Sequence, residues 1–151
     1  MADPLVKFGS SRGDLGPAPI NAQWILEGNP VARNKCLSRS KDGTASNYIW
    51  DCTAGRFNWY YQIDETVCVL EGSVHVRDHH GGSRLLEAGD TAFFAAGSSA
   101  EWTVPIYVRK VAFMRRPLPP FVVLAKKLYS AVKGIARLGR SPRADMAPTM
   151  F

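Results

Sequence analysis

Short segments in which apolar and polar residues alternate follow one another between Trp24 and Lys110. A period of two is typical of β-strands that bury one face. Turn sequences that contain glycine, such as Lys41-Asp42-Gly43 and Ala88-Gly89-Asp90, separate these segments. Many short strands at this spacing predict an all-β sandwich or barrel. The predicted strands lie near residues 24–27, 33–39, 47–52, 56–62, 66–71, 73–78, 84–86, 91–95, 100–104 and 107–114.

The parity of two predicted strands indicates which side chains face the interior. Phe57, Trp59 and Tyr61 share one face, because alternate residues of a strand point the same way. Arg109 and Lys110 are neighbours and therefore point to opposite faces. We expect one of these two cations to reach the mouth of a barrel and the other to meet solvent or a partner.

A helical period replaces the strand period from Phe121 onward, after Pro117, Pro119 and Pro120 have ended the β-region. At about 100° per residue, apolar side chains gather on one arc of this helix and polar ones on the other. The apolar arc holds Phe121, Leu124, Ala125, Leu128, Val132, Ile135 and Leu138, and the polar arc holds Lys126, Lys127, Ser130, Lys133, Arg137 and Arg140. The segment 118–140 is therefore predicted to contain a basic amphipathic helix.

Length and composition predict one globular domain with flexible ends. The chain has 151 residues, of which 46% are hydrophobic and 21% charged, close to the average of globular proteins, and this excludes a wholly disordered chain. We expect a flexible arm at 1–23, one β-domain at 24–117 and a disordered tail at 141–151. The 3 widely spaced cysteines and an N-terminus without a secretory pattern predict a cytoplasmic protein.

The net charge of +6 comes from the C-terminal segment. Residues 1–114 carry 11 Lys and Arg against 12 Asp and Glu, whereas residues 115–151 carry 8 against Asp145 alone. The basic helix is expected to pack on its own barrel, on a second subunit of a homodimer or, through 121–140, on an anionic membrane surface. Nucleic acid is not predicted as a partner, because the charges lie on one helix without an aromatic platform.

Two blocks of the β-domain resemble the two motifs of the cupin family. Phe57–Gly72 contains Asp-Glu-Thr and ends in Leu-Glu-Gly, as in the first motif, and Gly89–Gly97 begins with Gly-Asp, as in the second. Over residues 20–117 the chain is similar to small single-domain cupins related to the (S)-ureidoglycine aminohydrolase cupin domain. The resemblance implies an all-β cupin double-stranded β-helix, which is a jelly-roll barrel, followed by the amphipathic α-helix.

Most metal-ligand positions of the cupin motifs are occupied by residues that do not bind metals. At the four positions stand Trp59 and Tyr61 (or Asn58 and Tyr60 with the longer spacing), Glu65 and Ala100. Because a transition metal needs several converging nitrogen, oxygen or sulfur donors, we predict a pocket without metal or other cofactor. His75, His79 and His80 lie on a strand and in a turn and are predicted to be surface residues.

Inside such a barrel, Trp59, Tyr61, Glu65 and Trp102 are the residues predicted to line a ligand pocket. Aromatic faces beside one carboxylate suit a small polar or cationic ligand. Glu65 is the candidate general acid or base. Tyr61, which would hydrogen-bond to the ligand or to Glu65, is the second catalytic candidate.

The same residues also admit a structural interpretation, in which the two tryptophans pack in the core and Glu65 caps a loop or pairs with Arg56 or Lys110. The function predicted first is a metal-independent cupin that binds a small polar or nitrogenous metabolite. A simple acid–base reaction on that ligand is left open, and so is the question whether the protein is an enzyme. The alternatives are a non-catalytic interaction module, with the barrel as scaffold and the basic helix as contact, and a metal-dependent aminohydrolase-like cupin with atypical ligands.

Overall fold

Strands dominate the fold in the computed structural model, which describes residues 6–138 and their side chains up to residue 133. A short 3-10 helix covers Ala22–Trp24, and the α-helix α1 covers Pro120–Leu138. The prediction of an all-β barrel protein with one C-terminal helix is confirmed. The strands are β1 (Gly16–Pro17), β2 (Ile25–Glu27), β3 (Ala32–Arg39), β4 (Ala45–Tyr60), β5 (Asp64–Asp78), β6 (Ser83–Glu87), β7 (Thr91–Phe94) and β8 (Ser99–Arg115).

The strands form one 8-stranded sheet in the order β1-β3-β4-β8-β5-β6, with β2 paired to β4 and β7 paired to β5. All these pairings are antiparallel among the described residues. The register shifts between Thr53 and Gly55 on β4 and between Val69 and Glu71 on β5. Because β-bulges bend a strand and increase its twist, these shifts let the long strands curve into the jelly-roll barrel.

Several predicted strands are parts of longer ones. The predicted strands 47–52 and 56–62 both lie in β4, and 66–71 and 73–78 both lie in β5. The predicted break at Gly72 was wrong, because this glycine lies within a bulged strand. Gly72 has φ +70°, and a Cβ atom there would lie 1.9 Å from the backbone oxygen of Tyr107. Glycine therefore lets β5 pass close to β8 without a break.

Aromatic and branched aliphatic side chains fill the interior of the barrel. Phe57 and Trp102 stack with ring centroids 6.3 Å apart, and Trp50 meets both rings edge-on. Such aromatic pairs add about 0.5–1.5 kcal/mol each beyond the area they bury. Trp59 lies on the same face of β4 as Phe57 but is only partly buried. Trp59 therefore packs against the edge of the core and keeps part of its ring exposed.

The chain divides after Pro117 into two compact units. In the first unit, Gly16 and Pro17 of the predicted flexible arm pair with Asn34 and Arg33 of β3. In the second unit, α1 carries apolar and basic residues and no acidic one. None of the helices that the structure describes is long and apolar enough to cross a membrane. The predicted tail at 141–151 lies outside the described residues.

Candidate functional site

Strand β8 directs alternate side chains into the barrel, and one of them is a lysine. Val108, Lys110 and Ala112 are 0%, 4% and 3% exposed. Arg109 lies on the opposite face, where its guanidinium approaches Asp51. The parity of the sequence predicted that the two cations separate, and the burial shows that Lys110 is the inward one.

Lys110 and Glu65 form a buried ion pair between strands β8 and β5. Lys110 Nζ donates a hydrogen bond of 2.6 Å to Glu65 Oε1, and each side chain is 5% exposed. Arg56, the other partner considered for Glu65, pairs with Glu27 and Glu101 instead. An isolated buried charge costs many kcal/mol of lost hydration, so each of the two ions keeps the other in place.

Two tryptophan rings complete the surroundings of the Lys110 ammonium. Its nitrogen lies 5.0 Å from the centroid of Trp50 and 4.7 Å from that of Trp102. Trp50 stands directly opposite Lys110 in the register of β4 and β8, so backbone pairing brings the two side chains together. A cation over a desolvated indole gains about 2 kcal/mol. The ammonium is therefore held by one carboxylate and two aromatic faces.

A cavity of about 480 Å³ lies against this ion pair. Glu65, Lys110, Trp50 and Trp59 contribute to its wall, and Ile63 adds apolar surface. Cavities that hold small ligands typically measure about 300–1,000 Å³ and combine apolar walls with a few polar groups. The volume of this cavity lies within that range, and its lining combines apolar and polar groups.

Two arginines stand at the solvent side of the same cavity. Arg39 and Arg116 are exposed residues of its wall. Arg39 donates a hydrogen bond of 2.8 Å to the hydroxyl group of Tyr48, another wall residue. The backbone nitrogen of Arg116 donates to the oxygen of Thr44 across 2.7 Å. This bond places the chain just after β8 beside the turn that joins β3 to β4.

Asp42 orders the turn that forms this part of the rim. Its Oδ1 accepts hydrogen bonds from the Ser40 hydroxyl at 2.6 Å, from the Thr44 hydroxyl at 2.8 Å and from the Thr44 backbone nitrogen at 3.1 Å. These bonds, that of Ser40 above all, lower the pKa of Asp42 to about 2. At neutral pH the charged carboxylate keeps Gly43 and Thr44 at the cavity wall.

The structure brings two of the predicted ligand contacts to the cavity, Trp59 and Glu65, and places Tyr61 and Trp102 in the core. Trp102 Nε1 donates a hydrogen bond of 2.9 Å to the Tyr61 hydroxyl oxygen, and the Tyr61 ring stacks on Phe94 with centroids 4.4 Å apart. Burial raises the pKa of Tyr61 far above its ordinary value, and the charge of Glu65 adds to the rise. The ligand contacts of Tyr61 and Trp102 stay predictions that this geometry does not favour.

A second buried carboxylate, that of Asp51, lies near the Arg109 guanidinium on the outer face of the sheet. Asp51 is 1% exposed and accepts two hydrogen bonds from Arg33, of 3.0 Å and 2.6 Å, and one of 2.9 Å from the Tyr107 hydroxyl. Arg109 approaches the same carboxylate to 3.9 Å and donates to the backbone oxygen of Ser11. This cluster fastens the N-terminal segment to the outer face of the sheet.

The segment that builds the cavity also relates the chain to known proteins. Residues 39–112 match the family model of the EutQ-like cupin domain. The crystal structure of an ethanolamine utilization protein Q, EutQ, from Salmonella typhimurium LT2 is similar, with 30% identity and a TM-score of 0.51 over 56% of this chain and 69% of that chain. The chain belongs to the EutQ-like cupin family. The matched segment of this EutQ-like cupin contains Arg39, Glu65 and Lys110.

Two further relatives show how far the likeness extends. A protein of unknown function of the DUF861 family from Pseudomonas syringae pv. tomato str. DC3000 has a similar crystal structure, with 27% identity and a TM-score of 0.64 over 70% of this chain and 46% of that chain. The protein "Acetate kinase EutQ" of Salmonella typhimurium is 45% identical over 53 residues, which are 35% of this chain. The EutQ-like cupin described here spans only 23% of that protein's length.

The residues of this EutQ-like cupin do not fit the transition metal that cupin motifs hold elsewhere. Glu65, the one ligand position that keeps a carboxylate, is already engaged by the Lys110 ammonium. Trp59 and Tyr61, at the positions of the histidines, pack against other aromatic rings, and Ala100 is 1% exposed. Within residues 6–138, no three His, Cys, Asp or Glu side chains are grouped so that they could hold a metal ion. A fixed ammonium thus stands beside the carboxylate of the motif.

The cationic and aromatic wall residues that were not predicted as site residues are Arg39, Trp50, Lys110 and Arg116. Lys110 carries a sequence signal, since it lies at an inward parity between Val108 and Ala112. The other three carry none, because strand pairing and the contact of Arg116 with the β3–β4 turn bring them to the cavity.

Proposed function

We propose that this EutQ-like cupin binds a small molecule in the barrel cavity without a metal ion. The observation that carries the proposal is the ion pair of Lys110 and Glu65 at the cavity wall. The Lys110 ammonium supplies a fixed positive charge beside the motif carboxylate. A buried ion pair stabilises a fold little, because its desolvation offsets much of its attraction. Its position at a cavity therefore supports a role in binding.

An acid–base step is the finer proposal, and Glu65 is the residue that would carry it. Its carboxylate belongs to the cavity wall and accepts a hydrogen bond from the Lys110 ammonium, which carries protons. The Tyr61 hydroxyl is less suited to catalysis, because it is buried against Trp102. The aminohydrolase chemistry of the ureidoglycine cupins depends on histidines that this chain lacks. The kinase activity named for the curated relatives is not carried over, since the chain spans 23% and 19% of their lengths.

The second candidate is an interaction module that uses α1. The helix has apolar and basic residues and no acidic one over Pro120–Leu138, which favours contact with a second subunit or an anionic membrane surface. A cytoplasmic setting is inferred from the free thiols of Cys36, Cys52 and Cys68. Burial raises the pKa of the Cys52 thiol to about 12, so this thiol stays protonated and unreactive.

A fragment screen on chelator-treated protein tests the leading proposal. Full-length protein is dialysed against EDTA, and a library of anionic, neutral and cationic fragments is screened by ligand-observed NMR. We expect fragments that bind without added metal and that lose affinity in Ala112→Phe, since Ala112 belongs to the cavity wall. Binding should persist in the matched control Ala88→Phe, which adds the same ring at an exposed turn. Unfolding midpoints verify that both variants fold.

Two results would contradict the proposal. The first is a stoichiometric transition metal in purified protein, found by elemental analysis, whose removal abolishes fragment binding. The second is a screen whose hits bind Ala112→Phe as tightly as the parent protein, or a screen without hits. The first result would favour a metal-dependent cupin with atypical ligands, and the second would leave the barrel as a scaffold and favour the interaction module.

A further inference from the structure

The wall of the cavity carries more positive than negative charge. Among the described residues it presents three cationic side chains, Arg39, Lys110 and Arg116, and one carboxylate, Glu65. The barrel as a whole does not share this excess, because residues 1–117 carry 13 Lys and Arg against 12 Asp and Glu. Positive charge is therefore concentrated at this cavity, where it raises the local concentration of anions.

The excess lies at the mouth rather than at the ion pair. The charge of Lys110 is balanced by Glu65 at 2.6 Å, whereas neither arginine takes part in an ion pair among the described residues. Arg39 donates a hydrogen bond to the neutral hydroxyl of Tyr48. The carboxylate of Asp42 in the adjoining turn is engaged by Ser40 and Thr44. Both guanidinium groups thus keep donors for a ligand.

The inner wall offers aromatic and aliphatic surface below these guanidinium groups. Trp50 and Trp59 meet edge-on with centroids 6.0 Å apart, and Ile63 and Met114 belong to the same wall. A flat apolar body is attracted by such surfaces, and a planar guanidinium matches a carboxylate with two parallel hydrogen bonds. An apolar interior below a cationic mouth suits a molecule that is anionic at one end.

We propose that the cavity binds a small organic anion, a carboxylate with an apolar or aromatic body. Its charged end is held by Arg39 and Arg116, and its body lies against Trp50 and Trp59. The inference rests on the proposed small-molecule function and names its ligand class. The sequence indicated a polar or cationic ligand, whereas this inference names an anionic one. The reason is that the Lys110 ammonium neutralises the Glu65 carboxylate, which would otherwise attract a cation.

Three probes of one shape and different charge test this inference. Benzoate, benzamide and benzylamine are titrated into the isotope-labelled full-length protein, and the indole N–H signals of Trp50 and Trp59 are followed by NMR. We expect benzoate to bind about tenfold more tightly than benzamide, and benzylamine to bind least, because charge-assisted hydrogen bonds outweigh neutral ones. The benzoate affinity should also fall as ionic strength rises, since the arginines are exposed.

Charge-matched double variants show which arginines act. In Arg39→Gln/Arg116→Gln the benzoate affinity should fall to that of benzamide, a loss of about tenfold. In Arg77→Gln/Arg84→Gln, which removes the same charge outside this cavity, it should change by less than about twofold.

The outcomes separate the two proposals. Equal affinity for benzoate and benzamide, a preference for benzylamine, or an unchanged benzoate affinity in Arg39→Gln/Arg116→Gln would overturn the anion inference and leave the small-molecule site in place. If none of the three probes shifts the indole signals at millimolar concentrations, the proposed site itself fails, and the inference fails with it.

Discussion

Two charged side chains, Glu65 and Lys110, are buried next to a core of aromatic and aliphatic side chains. The carboxylate stands at a position where cupin motifs place a metal ligand, and the Lys110 ammonium lies 2.6 Å from it. The two indole rings around the ammonium lower the cost of its dehydration. An ammonium group has no empty orbital and cannot act as a Lewis acid as a metal ion does, so this arrangement favours binding and orientation over the activation of water.

Removing one partner of this pair should destabilise the fold more than removing both. In Lys110→Met the Glu65 carboxylate is left buried without its counter-ion, and we expect the free energy of unfolding to fall by about 3–5 kcal/mol. In Glu65→Leu/Lys110→Met most of this loss should be recovered, because two apolar side chains fill the same space. Urea denaturation at neutral pH measures both effects.

The control for this prediction is Lys35→Met, which removes an exposed lysine of β3 and should change stability by less than about 0.5 kcal/mol. If Lys110→Met and the double variant lost equal stability, the pair would not be the reason for the loss. The double variant should also fail to bind a cavity ligand that uses the ammonium, which separates stability from function.

At the scale of elements, the long strands β4, β5 and β8 position the site. Trp50 on β4 faces Lys110 on β8, and β8 pairs along its other edge with β5, which carries Glu65. The site therefore depends on the continuity of three strands through their bulges. Among the described glycines, Gly72 leaves the least room for a side chain, because a Cβ atom there would lie 1.9 Å from the Tyr107 backbone oxygen on β8.

A side chain at Gly72 should disrupt this arrangement. In Gly72→Ala the new Cβ would lie 1.9 Å from the Tyr107 backbone oxygen, at φ +70°, so the strands have to separate. We expect a loss of more than about 3 kcal/mol of unfolding free energy, since the backbone strain alone costs about 1–2 kcal/mol. Thermal or urea unfolding followed by circular dichroism measures this loss.

Gly81→Ala is the matched control, because Gly81 has φ +90° but no atom within 4 Å of the added Cβ. It should show only the strain of about 1–2 kcal/mol. Equal losses in the two variants would show that the close approach of β5 and β8 contributes nothing beyond the backbone conformation.

For the whole molecule, charge is distributed between the two units in a way that suggests different partners. Residues 1–117, which include the cationic cavity, carry 13 Lys and Arg against 12 Asp and Glu, whereas residues 118–151 carry 6 Lys and Arg against Asp145. A cavity of about 480 Å³ admits only a small molecule. We propose that an anionic membrane or a second subunit contacts the basic amphipathic helix α1.

We expect the full chain to sediment with vesicles that contain phosphatidylserine and not with vesicles of phosphatidylcholine alone. Each lysine near an anionic surface contributes about 1 kcal/mol, so Lys126→Gln/Lys127→Gln/Lys133→Gln should release the protein, as should added salt. The control Lys35→Gln/Arg77→Gln/Arg84→Gln removes the same charge from the barrel and should stay bound. Equal sedimentation with both kinds of vesicle would argue against a membrane role.

A halved solution mass for Leu124→Ser/Leu128→Ser would assign α1 to a dimer.

Local patterns and motif spacing were sufficient to predict several features of this protein. The period-two alternation indicated the strands, and the switch of period after Pro120 indicated α1. The resemblance of Phe57–Gly72 and Gly89–Gly97 to the cupin motifs implied a cupin barrel with Glu65 inside. These features depend on neighbours along the chain, where side-chain direction follows from backbone geometry. The same parity predicted that Arg109 and Lys110 separate.

Only the tertiary structure decided which strands continue through their bulges, which cation faces inward and what surrounds it. The contact of Lys110 with Glu65 depends on the register between β8 and β5, and the approach of Arg116 to the cavity depends on its bond to Thr44. Register and loop contacts are set by packing across residues that are far apart in sequence, so no local pattern encodes them. For that reason the sequence predicted a pocket beside Trp59 and Glu65, whereas only the tertiary structure showed that cationic side chains outnumber carboxylates in its wall.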